Sequence, residues 1–133
     1  MRFVIALCCA AALAAAACGE SAPAAPSVAP ATITETFTGT VAVSGSSLQS
    51  ITVNQVSKLT VTLTSVDPSA ALGIGIGSLS NGTCVVLTTN SPVVAGGSTV
   101  LSGTALAGTL CVTIYDVGNL VEPVTYTISV AHS

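Results

Sequence analysis

The sequence predicts an all-β domain, an antiparallel and jelly-roll-like β-sandwich of about eight strands. Period-2 alternation of bulky and small or hydroxyl residues recurs between residues 32 and 132. Turn-forming clusters interrupt it at short intervals. No stretch in that range has helical spacing. The strands fall at about 33–42, 48–55, 58–66, 71–79, 83–89, 98–103, 109–116 and 123–131.

The first strand carries Thr34, Thr36, Thr38 and Thr40 on one face. The cluster Ser44-Gly45-Ser46 closes it, and Ser50-Ile51-Thr52-Val53 marks the second. In the third, Leu59, Val61 and Leu63 alternate with Thr60, Thr62 and Thr64, up to the turn at Asp67-Pro68. In the fourth, Leu72, Ile74 and Ile76 alternate with Gly73, Gly75 and Gly77. Its glycine face would let another backbone or loop come close. Asn81-Gly82 favours a tight two-residue hairpin into the fifth strand. Ala95-Gly96-Gly97 precedes the sixth. Leu110, Val112 and Ile114 point inward from the seventh. After Val117-Gly118-Asn119, Val124, Tyr126, Ile128 and Val130 alternate with Thr125, Thr127 and Ser129 in the eighth. Each run puts one face toward a core and one toward water, the pattern of two packed sheets.

Before this domain the chain has a different character. Arg2 gives a short positive start, and Phe3 to Ala17 form an apolar, Ala-rich stretch. That stretch is shorter than the roughly 18–20 residues a spanning helix needs, so residues 1–17 read as a signal peptide. The run Ala15-Ala16-Ala17-Cys18 resembles the lipobox of bacterial lipoproteins, with Ala15 where that family usually has Leu. The resemblance implies cleavage before Cys18, a lipid on Cys18, and a membrane as partner. With Gly19 next, the enteric sorting rule implies the outer membrane. Residues 18–31 then form a Pro/Ala-rich linker, with Pro23, Pro26 and Pro30 favouring an extended, hydrated chain. It would hold domain 32–132 clear of the lipid surface.

The cysteines fit this scheme. Cys8 and Cys9 lie in the segment to be removed, and Cys18 takes the lipid. Cys84 and Cys111 remain as a pair for an oxidising compartment, where a disulfide is the natural assignment and two unpaired thiols the alternative. Such a loop would contribute about 3–4 kcal/mol in the chain-entropy model. Parity turns Cys111 away from the core, and places Val85 and Leu87 on the side opposite Cys84. The bridge would therefore staple neighbouring strands from outside.

Within the domain, Ser50-Ile51-Thr52-Val53, Leu59-Thr60-Val61-Thr62-Leu63 and Leu72-Gly73-Ile74-Gly75-Ile76 resemble the bacterial pre-peptidase C-terminal domain. Ala107-Gly108-Thr109-Leu110-Cys111-Val112-Thr113-Ile114 is similar to that family's Gly-Thr-Tyr strand, with Leu110 in place of Tyr. Tyr126-Thr127-Ile128-Ser129-Val130 matches its last strand. The resemblance spans about residues 33–131 and implies a non-catalytic sandwich of the kind appended to exoenzymes. The acidic positions common near that family's second and fourth strands are missing, which weakens any carry-over of the calcium binding seen in some of its members.

Composition narrows the chemistry further. Only 5% of the 133 residues are charged. Without residues 1–17 a single base, Lys58, faces Glu20, Glu35, Asp67, Asp116 and Glu122. Such a surface cannot neutralise a run of phosphates, which argues against nucleic acid as a partner. No catalytic residue, metal ligand set or cofactor is assigned. His132 is the sole His and penultimate, where chains usually fray. Asp116 and Glu122 flank one loop and read as solvated acids, a weak calcium site being the alternative. Tyr126 shares parity with the core, leaving Tyr115 as a lone exposed aromatic. The Thr ladders of the first and third strands read as the polar faces of a neutral sheet. The expectation is a lipid-anchored, non-catalytic envelope protein whose sandwich binds a protein or polymer partner. A structural lipoprotein without a discrete ligand is the alternative, and a glycan-binding module a third reading.

Overall fold

The structure is a computed structural model that describes Gly19, residues 21–96 and residues 98–133. The predicted signal segment and Cys18 lie outside the described residues. Residues 21–31 are exposed and carry no regular structure. No helix among the described residues is long and apolar enough to cross a membrane.

The strands are β1 (Ile33–Val41), β2 (Ser46–Val53), β3 (Ser57–Asp67), β4 (Leu72–Ser80), β5 (Thr83–Val93), β6 (Thr99–Ala105), β7 (Gly108–Asp116) and β8 (Val124–His132). They form two antiparallel four-stranded sheets, ordered β1-β8-β3-β6 and β2-β7-β4-β5. This order, in which consecutive strands often change sheet, is that of a double-sheet jelly roll.

The alternating residues build the core between the sheets. Leu59, Val61 and Leu63 of β3 and Tyr126, Ile128 and Val130 of β8 meet Ile51, Val53, Leu72, Ile74, Val112 and Ile114 of the other sheet. Burying each such aliphatic side chain contributes about 1.5–3 kcal/mol. The outer face of the first sheet is the hydroxyl surface that the ladders describe: Thr36 pairs with Ser129, Thr38 with Thr127 and Thr40 with Thr125. Ser80 pairs with Thr83 across Asn81 and Gly82, both at positive φ, so the hairpin forms where those two residues favour it.

Several expectations need correction. Strand β5 runs to Val93 instead of ending near Thr89. Its polar second half is held by the start of β4, through a register shift between Leu72 and Ile74, and Pro92 is tolerated because β5 is an edge strand. Val85 and Leu87 do not enter the core, and both are exposed. A second register shift pairs Ile76 with Thr88 but Gly77 with Val86, leaving Leu87 as the extra residue of a bulge. Finally, His132 does not fray: it ends β8, pairs with Ile33, and is only 5% exposed.

The disulfide joins Cys84 to Cys111 with their Cα atoms 5.7 Å apart. It lies on the outer side of its sheet, since the neighbouring Val112 and Leu110 pack toward the core. The two strands are not neighbours, however, because β4 lies between β5 and β7. The bridge spans it at Gly77, which is opposite Cys111 in the register. A Cβ on Gly77 would collide with the backbone of Val85, so only glycine lets β5 fold this closely over β4. The same face admits the Tyr115 ring over Gly73. That contact leaves Tyr115 half-buried rather than freely exposed.

Candidate functional site: an apolar cleft between two sheet edges

A sandwich has two open sides, where the edge strands of its sheets face one another. At the β1/β2 side the gap is closed by polar bonds. The Tyr126 hydroxyl is 2.8 Å from both Ser47 Oγ and Gln49 Nε2, tying β8 to β2 across the two sheets. Nearby, the Asp116 carboxylate links the β1–β2 turn to the loop after β7. It accepts from the Ser44 amide at 2.8 Å, and from the amides of Gly118, Asn119 and Leu120 at 2.8, 3.1 and 3.2 Å. These bonds, that from Ser44 foremost, hold its carboxyl below the usual aspartate range. Asp116 therefore organises two loops and is not a free solvated acid. Glu122 is not among its partners. Among the described residues no three His, Cys, Asp or Glu side chains come together as a metal site would need.

The β5/β6 side is different. At its upper end the Asn90 side chain donates to the Val100 carbonyl at 2.9 Å and bridges the gap. Below that bridge the sheets part, and an apolar cleft of about 460 Å³ opens. Leu59, Ile76 and Leu110 line it from the core side, while Leu87, Thr88, Gly103 and Leu106 border it from β5, β6 and the following turn. Among the described residues no Asp, Glu, Lys, Arg or His lines it.

One residue explains why the cleft exists. Gly103 is paired with the buried Leu59, so its missing side chain would have pointed inward. A Cβ built there meets no heavy atom within 4 Å. Ala105, the next inward position, is small as well. The rim is the reverse, with Leu87 and Leu106 exposed at 77% and 70%. Val85 is exposed as well, whereas Val86 lies over Gly75 on the outer face of the sheet. Other exposed apolar side chains, such as Val28, Val56 and Val121, are scattered singly and call for no explanation.

Sequence reasoning did not find this cleft. A signal was present in Val85-Val86-Leu87, three consecutive apolar residues in one strand, because alternation cannot bury them all on one face. Gly103, by contrast, gave none, since its inward direction depends on its register with β3.

The one histidine of the sequence lies elsewhere. His132 Nε2 is 2.8 Å from Glu35 Oε1, a pairing the sequence did not suggest across 97 positions. It joins the ends of β1 and β8 beside small hollows of about 180 Å³. Among the described residues Glu35 is the side-chain partner His132 has.

No protein-family model matches this chain. No curated protein matches it either. Among solved structures it is similar to PliG of Aeromonas hydrophila, a periplasmic lysozyme inhibitor of g-type lysozyme. The TM-score is 0.52 at 10% identity, over 75% of this chain and 86% of that one. At so low an identity the likeness shows a shared fold.

Proposed function

We propose that this chain is a non-catalytic envelope lipoprotein that presents its sandwich on a lipid tether and binds a protein partner at the β5/β6 side. The observation that carries the reading is the cleft with its apolar rim. Leu87 and Leu106 stand in water beside an apolar hollow that no side chain of the domain fills. Exposed apolar surface continuous with a hollow is the usual mark of an interaction site. PliG supports the class of function, being a periplasmic protein of similar fold that acts on another protein. The lipobox-like Ala15-Ala16-Ala17-Cys18 supports the anchor, and residues 21–31 supply an extended stretch between anchor and domain. A pre-peptidase C-terminal-like role, as a module serving a secreted enzyme, falls within the same reading.

The test is retention of envelope proteins, and separately of g-type lysozyme, on the immobilised mature chain. One protein should be retained by the unaltered chain and by Thr36→Asp, which lies on the far sheet edge. Retention should fall at least tenfold when Leu87→Asp and Leu106→Asp are combined. No retained protein, or one indifferent to both rim changes, would contradict the reading.

A further inference from the structure

Resting on that protein-binding reading, we infer that the partner enters the cleft as an extended, uncharged segment that lies along the free edge of β6 and places one large apolar side chain over Gly103. Three observations lead there.

The first is the vacancy. Gly103 leaves an inward position of β6 empty opposite Leu59, and Ile76 closes the hollow from the other sheet. A side chain of Leu, Ile or Phe size, arriving from outside, completes the alternation that the strand itself lacks. Buried anchors of this kind dominate binding energy at protein interfaces.

The second is charge. The described domain is acidic, with Lys58 against Glu35, Asp67, Asp116 and Glu122, yet none of these lines the cleft. An ionised group entering it would lose hydration and find no partner. The segment is therefore neutral where it enters.

The third is the strand edge. Strand β6 pairs with β3 alone, so its other edge carries unpaired backbone groups. One of these, the Val100 carbonyl, already accepts a bond from the side-chain Nδ2 of Asn90. Below Asn90 no side chain of the domain continues that pairing among the described residues. A polypeptide in extended form supplies both requirements together, amides and carbonyls for the edge and an alternate side chain for the hollow. An acyl chain supplies only the second.

The experiment places a photoreactive residue at Leu106 in the full chain, irradiates living cells, and maps the captured peptide by mass spectrometry. The expected adduct is one protein, joined through an uncharged, strand-forming segment that contains a large apolar residue. In the Gly103→Leu background, which fills the vacancy, its yield should fall at least tenfold, and in Gly103→Ala by an intermediate factor. An unchanged unfolding midpoint in these variants would show that the fold is kept. A protein adduct that persists undiminished in Gly103→Leu would overturn the inference and leave the protein-binding reading standing. So would capture through a charged or helical segment, or of a second copy of this chain. Capture of lipid alone, or of nothing, would overturn both.

Discussion

At the scale of single residues, a few polar side chains do structural tasks that their types alone do not announce. Asp116 is the clearest case. Its carboxylate accepts four backbone amides while remaining on the surface. Those bonds favour the ionised form, so the folded state holds this proton less tightly than the unfolded chain does. The resulting stability is complete above the ordinary aspartate pKa. It is lost as pH falls through the depressed folded value. Urea unfolding midpoints should therefore drop on acidification below about pH 4, and Asp116→Asn should flatten that dependence. An equally steep fall in the variant would assign the effect to other acids. Tyr126 is the second case. The sequence placed its ring in the core through parity, but not the bonds of its hydroxyl to Ser47 and Gln49. Tyr126→Phe keeps the ring and removes those bonds, and should cost about 1–2 kcal/mol in denaturant unfolding. A neutral result would mean that water replaces them fully.

At the scale of elements, alternation located the strands that bury one face, because there a slip of one residue would expose it. It failed where that constraint lapses. In β5, an edge strand with a bulge at Leu87, parity no longer tracks burial. The disulfide was legible as a pair of cysteines, but its course over β4 was not, since it depends on how closely β5 folds across Gly77. That course can be tested with two glycines. Gly77→Ala should destabilise the domain by about 1–3 kcal/mol, because its Cβ meets the Val85 backbone. Gly103→Ala should be neutral or slightly stabilising, since its Cβ meets nothing within 4 Å. Equal effects would mean that the close fold of β5 is not required. Replacing Cys84 and Cys111 together by Ala should cost about 3–4 kcal/mol in the entropy model, read as a lowered denaturant midpoint.

At the scale of the molecule, the strand order makes one side of the sandwich tight and the other open. Tyr126 and Asp116 secure the β1/β2 side, while β5 and β6 part below the Asn90 bridge and leave an apolar cleft. The fold class and the charge-poor, hydroxyl-rich surface were readable from pattern and composition. The cleft was not, because it arises from a register between strands far apart in the chain and from a side chain that is missing. With the proposed lipid anchor at Cys18, the Pro/Ala-rich segment would hold the domain away from the membrane and leave the open side accessible to a protein partner.

The measurement that tests this account most directly compares two positions in living cells. A photoreactive residue is placed at Leu87 on the cleft rim or at Thr36 on the opposite edge of the sandwich. The account predicts a discrete protein adduct from Leu87 and none from Thr36. The same pattern from both positions, or lipid alone from Leu87, would contradict it.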